Sequence, residues 1–288
     1  LLVGALLLAG GFSTMNADVI YVTESGSGDG TSWSSAASLE DALSWAAAGD
    51  EVFVAKGTYT GSFKLRAAAK VYGNCVGTET EPPTYTTAEG LETFLKGPGG
   101  KRVLYLDGKA SEIYGLDISG GDASTETTGV GRGGGVYINN GGATLKYCNI
   151  HDNIGVDGSK NILGSNGKAL KGVGGGLYVL NGRLENCIIE NNIATTAPWE
   201  DTSKTWSTGI GGGICLDATE GNGCNPDNAI VLNCIIRNNS TTPTDDGDSF
   251  QSQGGGIAIK SGKLINSLVV GNSVNGSLNN QSVGGGVC

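Results

Sequence analysis

The chain holds one histidine, His151, so any histidine-dependent chemistry must run through it. Glu190 and Arg237 stand at the equivalent place in later copies of one short segment. The copies are Cys148-Asn149-Ile150-His151-Asp152-Asn153, Cys187-Ile188-Ile189-Glu190-Asn191-Asn192, Cys234-Ile235-Ile236-Arg237-Asn238-Asn239 and Ser267-Leu268-Val269-Val270-Gly271-Asn272. Brought into one row, His151, Glu190 and Arg237 could act as an acid–base cluster in a groove, and they are the candidate catalytic residues. The favoured expectation is plainer: a solvated row with an ordinary Glu190–Arg237 ion pair worth under about 1 kcal/mol.

Two further sets could bind. Tyr137, Tyr178, Trp199 and Trp206 are the candidate ligand-binding residues, because flat aromatic faces suit sugar rings and exposed large aromatics usually have a partner. Against this stands the expectation that loops fold back over the tyrosines and bury them. Asp245, Asp246 and Asp248 are acidic enough to attract calcium, but the run lacks the ligand spacing of an EF-hand loop, so a solvated loop and no cofactor are expected. Gly129-x-Gly131-x-x-Gly134 spells a dinucleotide fingerprint with no helix after it, a chance match in a glycine-rich chain.

Whether any of these residues meet depends on the elements that carry them. Five glycine triplets, starting at Gly133, Gly174, Gly211, Gly254 and Gly284, each open a short apolar strand, and the first four precede a segment of the kind above. A unit repeated in this way cannot bury its apolar face alone and must stack on its copies. Alternation predicts that Val136, Leu177, Ile214, Ile257 and Val287 point inward, and Tyr137, Tyr178, Cys215, Ala258 and Cys288 outward. In the second strand Leu145, Leu184, Val231 and Leu264 form one inward column, and Ile150, Ile189, Ile236 and Val269 another. Asn153, Asn192, Asn239 and Asn272 fall where the chain turns. They read as structural, since asparagine tolerates the left-handed conformation and stacked copies can bond along the axis. The triplet starts lie 41, 37, 43 and 30 residues apart, and the excess falls mostly at 154–173, 193–210, 240–253 and 273–283. Insertions at equivalent points emerge side by side, and that face is where recognition is expected.

Ahead of the repeats come expected strands at Val19–Val22, Glu51–Ala55, Gly61–Leu65, Lys70–Tyr72, Arg102–Leu106 and Glu112–Ile118. A helix over Leu39–Ala48, with Ser38 as its N-cap and Asp41 at the capping-box position, would close the open end. The fold expected is all-β, a right-handed parallel β-helix over 18–288 with its N-terminal cap at about 18–50.

Composition agrees. Gly is 51 of 288 residues without a collagen period, and Pro is only 6, as suits compact β-structure with many tight turns. A net charge of -10 argues against nucleic acid or an anionic membrane surface as partner. The apolar run Leu1–Phe12 followed by Ser13-Thr14-Met15-Asn16-Ala17 is too short to span a bilayer and reads as a secretory signal over 1–17, clipped at its start. No transmembrane span is expected, and the mature chain is expected outside the cell or on the outer-membrane surface, as a monomer. Seven cysteines would suggest disulfides in that compartment, yet Cys148, Cys187 and Cys234 share one repeat position with Ser267 and read as a buried ladder; Cys215 could pair with Cys224.

The stretch Val19–Gly77 contains Ile20-Tyr21-Val22, Gly30-Thr31-Ser32-Trp33, Ala48-Gly49-Asp50-Glu51, Gly57-Thr58-Tyr59 and Val71-Tyr72-Gly73. It resembles the opening of secreted right-handed parallel β-helix proteins of the pectate-lyase-like superfamily. The triplet strands and Cys-x-Ile-x-x-Asn segments look like the repeats of polymorphic outer-membrane proteins and β-helix adhesins. The resemblance implies lyases, hydrolases, adhesins or binding scaffolds, and members that continue into further coils, so that this chain would be a fragment. A lyase would show Asp calcium ligands with an Arg or Lys base, and a hydrolase paired Asp residues on neighbouring coils. Neither pattern can be placed here. The expectation is therefore an adhesin-like or glycan-binding scaffold whose partner is a polysaccharide or a cell-surface glycan or protein. A polysaccharide lyase or glycoside hydrolase is the alternative.

Overall fold

The computed structural model describes residues 17–107, 110–139, 141–157, 172–196, 209–218, 226–241, 251–274 and 281–288. The expected signal segment lies outside them except for Ala17, as do Trp199, Trp206, Asp245, Asp246, Asp248 and Cys224.

Every pairing between named strands is parallel, and strands that neighbour each other in a sheet come from successive turns of the chain. The fold is a parallel β-helix, with the right-handed winding that such connections take. One full coil shows the plan. Val136–Ile138 lies in a six-stranded sheet, Ala143–Lys146 in an eight-stranded sheet, and Asn149–His151 in a seven-stranded sheet. Ile154–Val156 and Gly172–Val173 then belong to two four-stranded ladders before Leu177–Val179 returns to the six-stranded sheet.

The core is the inside of this spring. The predicted inward columns are buried together, among them Val136, Leu177, Ile214 and Ile257 from one sheet, Leu145, Leu184 and Val231 from the next, and Ile150, Ile189 and Ile236 from the third. Cys148, Cys187 and Cys234 are free and buried in the same core, as the ladder reading requires. Burial holds the Cys187 thiol well above its ordinary pKa, so it is not a nucleophile.

At the open end the helix is shorter than expected, Leu39–Trp45, with Ala46 as C-cap. Ser38 caps it as predicted: its Oγ accepts from the Asp41 amide at 3.1 Å and donates to Asp41 Oδ2 at 2.8 Å. Leu39 and Leu43 sit over Val54, Leu65, Leu95 and Ile113, leaving a void of only about 10 Å³.

Several expectations are corrected. Glu112–Ile118 is two strands, Glu112–Tyr114 and Asp117–Ser119, because Gly115 turns the corner with φ 63°. Two strands begin later than predicted, at Phe63 and Leu104, and Gly57–Thr60 and Thr93–Lys96 were not anticipated. The left-handed residue at the second corner is not the column asparagine but the one before it: Asp152, Asn191, Asn238 and Gly271, with φ 52–65°.

The column asparagines do something else. Asn153, Asn192 and Asn239 are fully buried, and each passes hydrogen bonds to the next coil. Asn192 Oδ1 accepts from the Asn153 amide at 3.1 Å and from Asn153 Nδ2 at 3.0 Å, while Asn192 Nδ2 donates to Ile150 O at 2.9 Å and to Asn239 Oδ1 at 3.0 Å. Asn239 repeats the pattern with Asn272 at 2.9 Å. Carbonyls and amides at a tight corner cannot all find ladder partners, and the carboxamide supplies both a donor and an acceptor there.

Candidate functional site

The seven-stranded sheet brings the candidate row together. His151 pairs in register with Glu190, and Glu190 with Arg237; Ser119 precedes them and Val270 follows. Asp117, unremarked in the sequence, sits in the neighbouring outward column one coil earlier and is nearly buried. What could have found it is register: the strand ending Asp117-Ile118-Ser119 aligns with Asn149-Ile150-His151, but the unrecognised corner at Gly115 hid that alignment.

His151 is clamped from both sides. Its Nε2 lies 2.9 Å from Asp117 Oδ1 and its Nδ1 2.7 Å from Asp152 Oδ2. Asn149 Nδ2 donates to the other Asp117 oxygen at 3.1 Å. With a carboxylate at each ring nitrogen, both nitrogens act as donors and the ring is held as imidazolium. The hydrogen bond to Asp117, opposed by burial and helped by Asp152, raises its pKa from 6.5 to about 9. A group in that state has no lone pair to take a proton near neutrality, so it does not offer Ser119 or a bound ligand a general base. Arg237 Nε meets Glu190 Oε2 at 2.6 Å, the ion pair expected for a solvated row. The three residues share a row, but their charges are spent on one another and on Asp117 and Asp152.

Tyr137 and Tyr178 lie next to each other on the outer face of the six-stranded sheet, with ring centroids 5.1 Å apart and planes at 81°, edge to face. Both are buried, at 5% and 0% exposure, in a small second core with Tyr105, Val173, Leu180 and Cys215. Arg102 holds the cover in place. Its guanidinium, 2% exposed, lies 4.8 Å from the Tyr137 centroid and donates to the carbonyls of Thr128, Gly129, Arg132 and Gly133 at 2.7–3.3 Å. Tyr178 reaches past its neighbours to donate to Asp217 Oδ2 at 3.0 Å, and Asp217 also holds Lys260 at 2.6 Å. In this arrangement neither tyrosine offers a ring face to a sugar.

The four insertions have a common origin. They leave from Ile154–Val156, Ile193–Thr195, Ser240–Thr241 and Ser273–Val274, which pair in that order in one ladder. They return through Gly172–Val173, Gly209–Ile210, Gln251–Gln253 and Gln281–Val283, which pair in the other. The sequence placed the insertions but not these stems, whose two- and three-residue strands are too short to carry a periodic signal.

No family model and no curated protein matches this chain. Among solved structures it is similar to the pectin methylesterase from Aspergillus niger, at 12% identity, covering 93% of this chain and 86% of that chain with a TM-score of 0.40. It is also similar to pectate lyase Pel9A, at 12% identity, 92% and 80% coverage and a TM-score of 0.32. The tailspike protein gp49 from Acinetobacter baumannii bacteriophage Fri1, a capsular polysaccharide depolymerase, matches at 11% identity over 93% of this chain and 48% of that one, with a TM-score of 0.36. The likeness is one of fold alone.

Among the described residues no group of three or more His, Cys, Asp and Glu is placed to hold a metal ion, and no helix is long and apolar enough to cross a membrane.

Proposed function

We propose that this chain is an exported or cell-surface scaffold without catalytic activity, adhesin-like or glycan-binding, that meets its partner through the insertions clustered on one face. The carrying observation is the pair of four-stranded ladders, which fixes the roots of all four insertions at the spacing of adjacent strands, ~4.8 Å. A rigid base that presents variable segments side by side is how a β-scaffold builds a recognition surface. Residues 197–208 carry Trp199 and Trp206, the aromatics suited to sugar rings. His151 is held as an imidazolium between Asp117 and Asp152 and so is not set up as a general base, and Arg237 is paired with Glu190, which favours the non-catalytic reading.

A glycan array probed with the whole chain, and with a variant in which Gly-Ser residues replace 197–208, tests the reading. Binding to a defined glycan class that is lost in the variant supports it. Release of reducing or unsaturated sugars from plant or host polysaccharides by the intact chain refutes it in favour of a lyase or hydrolase.

A further inference from the structure

The N-terminal end carries a feature the recognition face does not use. Between the capping helix Leu39–Trp45 and the edge strand Phe63–Leu65 lies a cleft of about 260 Å³, lined by Glu40, Leu43, Ser44, Ser62, Lys64 and Arg66 with Ala46 beside them. Phe63–Leu65 ends the six-stranded sheet and lies three strands, ~14 Å, from Leu177–Val179, the strand that follows the return of the first insertion through Gly172–Val173. The cleft arises from a mismatch of shapes. The helix covers the core through Leu39, Ala42 and Leu43, and its other side stands away from the last strand, whose even-numbered residues point outward.

The chemistry of the lining is uneven. Lys64 shares its charge with Asp107 at 3.5 Å and rests 4.4 Å from the Tyr105 centroid. Arg66 meets no carboxylate and no hydrogen-bond acceptor among the described residues. Lys56, Lys70, Arg102, Lys146, Arg183 and Arg237 are paired with carboxylates, whereas Arg66, like Lys96 and Lys101, has no carboxylate partner among the described residues, and it alone of the three lines a cleft beside a second cation. The Ser62 hydroxyl is likewise uncommitted, whereas Ser44 Oγ already donates to Asp41 O at 2.9 Å and keeps its lone pairs. The floor, Leu43 and Ala46, is apolar.

We infer that this cleft binds a phosphorylated sugar. Arg66 and Lys64 together match a dianionic phosphoryl group, Arg66 by two parallel N–H bonds and Lys64 as a point charge, with the Ser62 hydroxyl for the third oxygen. A carboxylate, with two oxygens and one charge, would leave part of that set unused. The apolar floor suits the C–H face of a sugar ring. Glu40, whose carboxylate would repel a bare anion, instead accepts hydrogen bonds from the ring hydroxyls and so selects for the sugar part. The volume is just below the ~300 Å³ at which pockets for larger ligands begin, which limits the occupant to about one ring with its phosphate.

Calorimetric titration of the whole chain tests this with four probes: glucose 6-phosphate, glucose, glucuronate and inorganic phosphate. Saturable binding of glucose 6-phosphate is expected, weakening as salt is raised, with the other three bound far less. Arg66→Gln should weaken it by about tenfold to a hundredfold. Arg66 is exposed, so the variant should melt with the parent chain. Absence of saturable binding, equal binding by inorganic phosphate or glucuronate, or unchanged affinity in Arg66→Gln at an unchanged melting temperature would each overturn the inference. None of these outcomes bears on glycan binding through the insertions.

Discussion

Gly176 stands where it does because Asn192 fills the space its side chain would need. A Cβ on Gly176 would lie 2.9 Å from Cγ and Nδ2 of Asn192, and 2.8 Å from Gly213 O on the next coil. The same relation links Gly135 with Asn153 and Gly213 with Asn239. The glycine triplet and the buried asparagine are thus one device: the first glycine of each triplet, with φ 58–65°, turns the chain, and the third makes room for the carboxamide that satisfies the corner.

It follows that the third glycine of a triplet should be costly to replace. Gly213→Ala drives a Cβ to 2.7 Å from Gly256 O and 2.9 Å from the buried Asn239 carboxamide, and should destabilise by about 3 kcal/mol or more. Urea denaturation of the variant checks this; a loss under about 1 kcal/mol would mean that coil-to-coil approach is not what demands the glycine.

Removing the Asn192 carboxamide takes the acceptor from the buried Asn153 amide and the side-chain donor from Ile150 O, while Asn153 Nδ2 keeps His151 O and Asn239 Oδ1 keeps the Asn192 amide. Asn192→Ala should therefore cost about 2–4 kcal/mol, read as a lower urea midpoint at unchanged slope. A loss under about 1 kcal/mol would show that water replaces the carboxamide.

His151 gives a pH dependence whose sign is fixed by its partners. Its folded pKa, about 9, lies above the unfolded 6.5, so its contribution is complete below about pH 6.5 and disappears as pH rises through about 9. His151→Gln should lower the melting temperature at pH 6, by an amount corresponding to about 1–2 kcal/mol given its partial exposure, and should match the parent at pH 10. A gap that persists at pH 10 would point to lost packing rather than lost charge.

Arg102→Lys keeps a positive charge but cannot reach four carbonyls at once, and a buried ammonium with fewer acceptors is poorly solvated. The variant should lose about 2–4 kcal/mol and uncover Tyr137, measurable as faster nitration of that ring than in the parent. Unchanged nitration would show that the cover over the tyrosines stands without the guanidinium.

Repetition made most of the fold legible. Four copies of Cys/Ser-x-apolar-x-x-Asn and five glycine triplets set the inward columns and the His151–Glu190–Arg237 row, because a stacked unit must place equivalent residues above one another. The places where reading failed are those where chain direction changes in one residue. Nothing in the sequence separated Glu112–Tyr114 from Asp117–Ser119 except a glycine, and the left-handed corner fell one residue ahead of the asparagine that advertised it.

What the sequence by itself determined was periodicity: which residues face the core, which share a row, and where the insertions leave. Partnership was decided only by the tertiary structure. Asp117 and Asp152 take both nitrogens of His151, segment 121–135 and Arg102 close over Tyr105 and Tyr137, and Arg66 is left beside an open cleft. Side-chain period is set by local backbone geometry, so it survives in a linear reading. Charge pairing and burial depend on distances across coils and corners, which exist only once the spring is wound.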